Sequence, residues 1–89
     1  MKVSKDFILR EIADECMLVP TGHAAAKCNG LITLNELGAF IFRTLAQEHT
    51  RESLLNCILE EYDVDRETAS NDLDAFLQQL RELDALLEA

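Results

Sequence analysis

Residues 30–42, "GLITLNELGAFIF", change period in the middle. Leu31 to Leu34 reads as a strand, because Ile32 and Thr33 are β-branched and suit a pleated surface. From Asn35 onward the spacing is helical. Leu37, Phe40, Ile41 and Leu45 fall on one face. Asn35 is the natural cap, since its side-chain oxygen can take one of the N–H groups left unpaired at a helix start. A strand that passes straight into a helix divides the chain into two halves of different period, and that division decides the fold.

Upstream of the junction the pattern is strand-like. Phe7 to Ile12 alternates, with Ile8, Arg10 and Ile12 on one face and Phe7, Leu9 and Glu11 on the other. A polar turn, Ala13-Asp14-Glu15, separates this run from "CMLVP" (residues 16–20), which Pro20 and Gly22 end. The pair reads as a β-hairpin. "HAAAKCNG" (residues 23–30) is expected as a loop or weak strand, closing on the turn signal Asn29-Gly30.

Downstream the pattern is helical. "QEHT" (residues 47–50) interrupts it. Thr50 can cap a second helix with the stripe Leu54, Leu55, Ile58, Leu59 and Tyr62, and Glu52 in its first turn suits the positive end of the dipole. "DVD" (residues 63–65) interrupts it again. Asp65 can cap a third helix with the stripe Ala69, Leu73, Phe76, Leu77, Leu80 and Leu83. The expected fold is α+β and winged-helix-like: a three-stranded antiparallel sheet followed by three helices, one domain over residues 1–89. Such a sheet has open edges, and an open edge can pair with another chain.

The chain carries a formal net charge of −9. Residues 1–45 balance to zero, and residues 46–89 hold three arginines against twelve acids. Such a surface repels phosphate backbones and favours cationic partners, which argues against nucleic acid. No apolar run approaches the roughly 20 residues that span a bilayer, and the N-terminus has no long apolar stretch. The expectation is a cytoplasmic domain with no membrane partner. Cys16, Cys28 and Cys57 form no Cys-x-x-Cys pair and read as small hydrophobes rather than disulfide or zinc ligands.

The sequence holds no catalytic constellation. There is no phosphate loop, no His-Glu-x-x-His and no nucleophile elbow. His23 and His49 read as solvent-exposed loop residues without an adjacent partner. Asp63, Asp65 and Glu67 lack the glycine and the terminal glutamate of a calcium loop, and Asp65 is better spent as a helix cap. "ESLLNCILEEYDVD" (residues 52–65) resembles the end of the second helix of acyl carrier proteins, with Ser53-Leu54 in the place of their modified serine. The helix is too short for that role, and a β-rich first half has no place in a four-helix carrier. A DNA-binding winged helix would need a basic last helix, and this one is acidic.

The ordered set of features is similar to the PqqD-like family, whose fold is known as the RiPP recognition element. The residues that carry the resemblance are the Leu34-Asn35 step, Gly38, the aromatics Phe40 and Phe42, the break Glu61 to Val64, and Asp72, Phe76-Leu77 and Leu80 of the last helix. The family usually ends that helix with glycine before two apolar residues. Asp84 stands there instead, so the helix is expected to run on through Ala85 to Leu87.

The resemblance implies a peptide-binding module with no cofactor and no catalytic residue of its own. The leader segment of a ribosomally made precursor would add as a strand to the third β-strand and lie against the third helix. A neighbouring maturase, typically a radical SAM enzyme with iron–sulfur clusters, would then modify the core peptide. The expected peptide-binding residues are Leu31, Ile32, Thr33 and Leu34 on the strand, with Asp72, Ala75, Phe76 and Gln79 on one flank of the last helix. The chain is expected as a monomer or a weak homodimer paired through its own edge. The competing expectation is an acidic interaction module that binds a basic protein through the helical half alone.

Overall fold

The computed structural model describes residues 1–27 and 31–88. The turn expected at Asn29-Gly30, and Cys28, lie outside the described residues. The elements run β1 (Lys2–Val3), β2 (Phe7–Ile12), β3 (Glu15–Pro20), α1 (Gly22–Lys27), β4 (Ile32–Leu34), α2 (Glu36–Thr44), α3 (Arg51–Glu61), α4 (Arg66–Glu82) and β5 (Leu86–Leu87).

The expected winged-helix-like arrangement is present. β2, β3 and β4 form an antiparallel sheet in that order, so β4 is an edge. Its register pairs Leu18 with Ile32, Met17 with Thr33 and Cys16 with Leu34. Phe7, Leu18 and Leu34 point to the core, together with Leu9, Cys16 and Ile32 at its margin. The helices cover that face. Ile41, Leu54, Leu55, Ile58, Leu73, Leu77 and Leu80 are fully buried or nearly so. Helix α2 is enclosed more widely than its sequence stripe suggests. Ala39 and Phe42 are buried beside Ile41 and Leu45, whereas Leu37 and Phe40 are only half-buried. The Phe40 ring meets Tyr62 edge-on at 5.4 Å, which packs the end of α3 against α2.

The three caps are made as their side chains dictate. Asn35 Oδ1 accepts from Gly38 N–H at 2.7 Å. Thr50 and Ser53 form a reciprocal capping box. Ser53 is thereby committed to the backbone and to His49, whose Nδ1 lies 3.0 Å from its hydroxyl. That disposes of Ser53 as a carrier serine, and it leaves His49 half-buried rather than free in solvent. Asp65 accepts from both the N–H and the hydroxyl of Thr68.

Four local expectations are corrected. Residues 23–27, expected with 28–30 as a loop or weak strand, form with Gly22 the short helix α1, so His23 stands on a helix rather than in a loop. Gly22 enters it at φ +54°, and Ala24 is buried against the sheet. Leu31 lies outside the strand, because the ladder stops at the Ile32–Leu18 pair. The turn before β3 has two residues, not three: Ala13 and Asp14 both take positive φ, as the tightest hairpin connection requires. Finally, α4 ends at Glu82. Asp84 adopts φ +57°, Ala85 N–H donates to Leu80 O at 2.8 Å and Asp84 N–H to Arg81 O. This is a Schellman ending, with Ala85 buried at its apolar contact. The chain then turns back, and β5 pairs with β1, joining Lys2 to Leu87 and Val3 to Leu86.

Two carboxylates are held below the ordinary range. Asp65 is lowered by its hydrogen bonds to Thr68, and Asp74 by its hydrogen bond to Arg51. Arg51 grips Asp74 through both Nε and Nη2, tying the start of α3 to α4. Because both native values lie below the unfolded one near 3.8, the unfolded chain binds more protons in acid. Their stabilisation is complete above that value and is lost as the pH falls through and below it. Denaturant midpoints measured between about pH 5 and pH 2 should fall, and Asp65→Asn with Asp74→Asn should flatten the fall. Asp84→Gly should raise stability by about 1 kcal/mol, since glycine enters the left-handed region without a Cβ penalty. A higher urea midpoint at unchanged slope would show it.

Candidate functional site

Beside the open edge of β4 lies a cleft of about 450 Å³. Three elements build it. Thr33 and Leu34 come from the strand, Asp72, Ala75, Phe76 and Gln79 from α4, and Asn35, Leu37, Gly38 and Ile41 from the junction and α2. Six of the eight residues expected from the sequence are thus brought together. Leu31 and Ile32 are not part of the cleft. Leu31 is 54% exposed ahead of the strand, and Ile32 packs on the margin of the core.

The spacing on α4 explains its contribution. Residues 72, 75, 76 and 79 share one flank of a helix. Phe76 is only 8% exposed, so its ring forms the floor while remaining part of the core. Asp72, Ala75 and Gln79 stand exposed along the wall. Asp72 and Asp74 differ in employment. Asp74 is paired with Arg51, whereas among the described residues no cation stands within ion-pair distance of Asp72.

The α2 wall is what sequence reasoning missed. Its decisive residue is Gly38. A β-carbon there would stand 3.0 Å from Cε1 of Phe76 and 3.1 Å from Oδ1 of Asn35. Glycine therefore lets the Phe76 ring rest on the helix backbone, close to the Asn35 cap. The signal was present as a glycine inside an otherwise apolar helix, where it costs stability unless something must come close.

The edge itself supplies backbone chemistry. In an antiparallel strand, successive residues direct their N–H and C=O groups alternately to the two sides. Within Ile32–Leu34 one set faces β3 and the other faces outward, where this sheet has no further strand among the described residues. Among the described residues no group of His, Cys, Asp or Glu side chains is placed to hold a metal ion. Nor is any helix long and apolar enough to cross a membrane.

The family model for coenzyme PQQ synthesis protein D (PqqD) matches residues 9–86. The chain belongs to the PqqD family. As a PqqD-like domain, a RiPP recognition element, it is a recognition module rather than an enzyme. Two solved structures share the architecture. One is TbiB1 in complex with the TbiA(beta) leader peptide, 28% identical, with a TM-score of 0.77, covering 100% of this chain and 98% of that one. The other is a lasso peptide synthetase B1 complexed with the leader peptide, 21% identical, with a TM-score of 0.74, covering 98% and 96%. No curated protein matches the chain significantly.

Replacing Gly38 by valine should push the Phe76 ring out of its seat. The expected cost is about 1–3 kcal/mol of overpacking. Urea unfolding would measure it, and ring and amide resonances of residues 72–79 should shift, marking the floor of the cleft as the place that moves.

Proposed function

We propose that the chain binds the leader segment of a ribosomally synthesised precursor peptide by strand addition at β4. The observation that carries this reading is the open β4 edge lying directly beside a cleft with an aromatic floor. An extended guest would satisfy the outward backbone groups of Ile32–Leu34 regardless of sequence, and alternate guest side chains would enter the cleft. Leu34, Leu37 and Phe76 offer apolar contact there, and Gln79, Asp72 and the backbone of Thr33 offer polar contact. A lysine or arginine of the leader would find Asp72 unpaired, which would raise the association rate and its salt sensitivity. The PqqD family match and the leader complex of TbiB1 support the reading.

The chemistry belongs to a separate enzyme. Holding the leader raises the local concentration of the core peptide at that enzyme's active site. In this reading the enzyme is a radical SAM maturase, as in similar PqqD-like systems, and the setting is cytoplasmic. Mixing the leader-loaded chain with each modifying enzyme encoded beside it should leave the radical SAM enzyme bound. A complex with an enzyme of another class instead would overturn the radical SAM assignment.

Titrating the neighbouring precursor's leader into isotope-labelled protein should shift amides in residues 31–34 and 72–79. Silence of both segments at excess leader would sink the idea. Of Ile32→Pro and Thr33→Pro, one should weaken binding by tenfold or more, on the order of one charge-free backbone bond lost with its neighbours, while leaving the fold intact. The other removes a bond to β3 and should lower stability. Binding should keep a salt-resistant part. An acidic interaction module acting through the helical half alone would instead lose its affinity in high salt.

A further inference from the structure

The sheet has a second face, and apolar side chains stand part-exposed on it. Alternation along the hairpin places Ile8, Arg10 and Ile12 of β2 on it, opposite Val19, Met17 and Glu15 of β3. Phe7, Leu9, Cys16 and Leu18 take the other face and belong to the core or its margin, whereas Ile8, Ile12, Met17 and Val19 do not. Ile8 is 43% exposed and Ile12 48% exposed. Solvent-facing sides of antiparallel sheets normally alternate to polar residues. Here four apolar side chains flank Arg10, with Glu15 and Thr33 at the margin of the face. Among the described residues no carboxylate lies within ion-pair distance of Arg10.

The position of this face relative to β4 gives it a use. Thr33 pairs with Met17, so its side chain lies on the same side of the sheet. A guest strand on the β4 edge would extend the sheet by one strand. Half of its side chains would enter the cleft, and the other half would continue the outer face beyond Thr33. The surface would then be composite, part protein and part leader.

We infer that the outer face of the hairpin, centred on Ile8, Arg10 and Met17, docks the modifying enzyme once the leader is bound. The enzyme would present an apolar patch bearing a carboxylate for Arg10. This inference rests on leader binding at β4. Size argues for dependence on the peptide. Two six-residue strands and a three-residue edge make a footprint on the order of 300 Å², well short of the roughly 800 Å² per partner of a stable interface. The leader's outward side chains would add to it. Charge argues against a second copy as the occupant. Two chains of net charge −9 repel each other over long range, and two copies of so small a face would bury well short of a stable interface.

The test uses the full chain, the leader of the precursor encoded beside it, and the modifying enzyme encoded beside it. Wild-type chain loaded with leader should bind the enzyme at least about tenfold more tightly than empty chain. Ile8→Thr with Met17→Thr keeps β-branched or small polar side chains on the strands. It should bind leader within about twofold of wild type and bind the enzyme at least about tenfold more weakly, the range of interface anchor residues. Arg10→Glu should do the same. If the double variant loses its circular dichroism, Ile12→Thr at the hairpin's end takes its place. Unchanged enzyme affinity in the variants overturns the inference. So does an equal loss of leader affinity, which would make the face a support of the cleft. A leader-free dimer in sedimentation that the variants dissolve overturns it in favour of a second copy. Wild-type chain that fails to bind leader at all removes the underlying reading and this inference together, and that result is seen before any variant is made.

Discussion

Phe76 rests on the backbone of Gly38, and the separation of α2 from α4 follows from that contact. A methyl group at position 38 would already crowd both the ring and the cap of α2. Since α2 begins one residue after β4 is left through Asn35, the same contact sets how α4 stands beside the strand edge. The cleft is therefore a product of helix spacing. The strand supplies its backbone rim, but the width is decided where an aromatic ring meets a residue without a side chain.

The two halves of the chain divide the physical tasks. The sheet half is electrically balanced and presents backbone groups at its edge and apolar side chains on its faces. The helical half carries the whole excess of acid and meets the sheet with leucine and isoleucine. Its acids are partly employed in its own architecture. Asp65 caps α4, and Asp74 holds Arg51 against it. Among the described residues Asp72 alone of the cleft's side chains brings a negative charge, so the acidity of the domain reaches the cleft at one point rather than along a surface.

What could be read from the sequence was governed by how local the cause was. Asn35, Thr50 and Asp65 announce helix starts because a side-chain oxygen three residues ahead of an N–H is a short-range matter. The alternation of Phe7 to Ile12 announces two faces, and it holds. The flank of Asp72, Ala75, Phe76 and Gln79 was legible for the same reason, one helical period. Helix α1 was not legible, since six residues with alanine and no cap carry too little signal to outweigh a loop. Nor was the part played by Gly38, because its reason is a phenylalanine 38 residues further on. Asp84 misled because propensity favours continuation there, whereas burial of Ala85 and two backbone bonds to the last turn outweigh the cost of a left-handed aspartate.

The pairing of β1 with β5 brings residue 2 beside residue 87. Entry and exit of the fold thus share one doorway, on the side where the chain's ends cross as a two-stranded ribbon. A domain with that geometry can be spliced into a surface loop of a larger protein with two short junctions and no rerouting of its core. It can equally be cut open elsewhere and rejoined at the doorway. The recognition unit is in this sense portable: its open edge and cleft travel intact wherever the ribbon is attached.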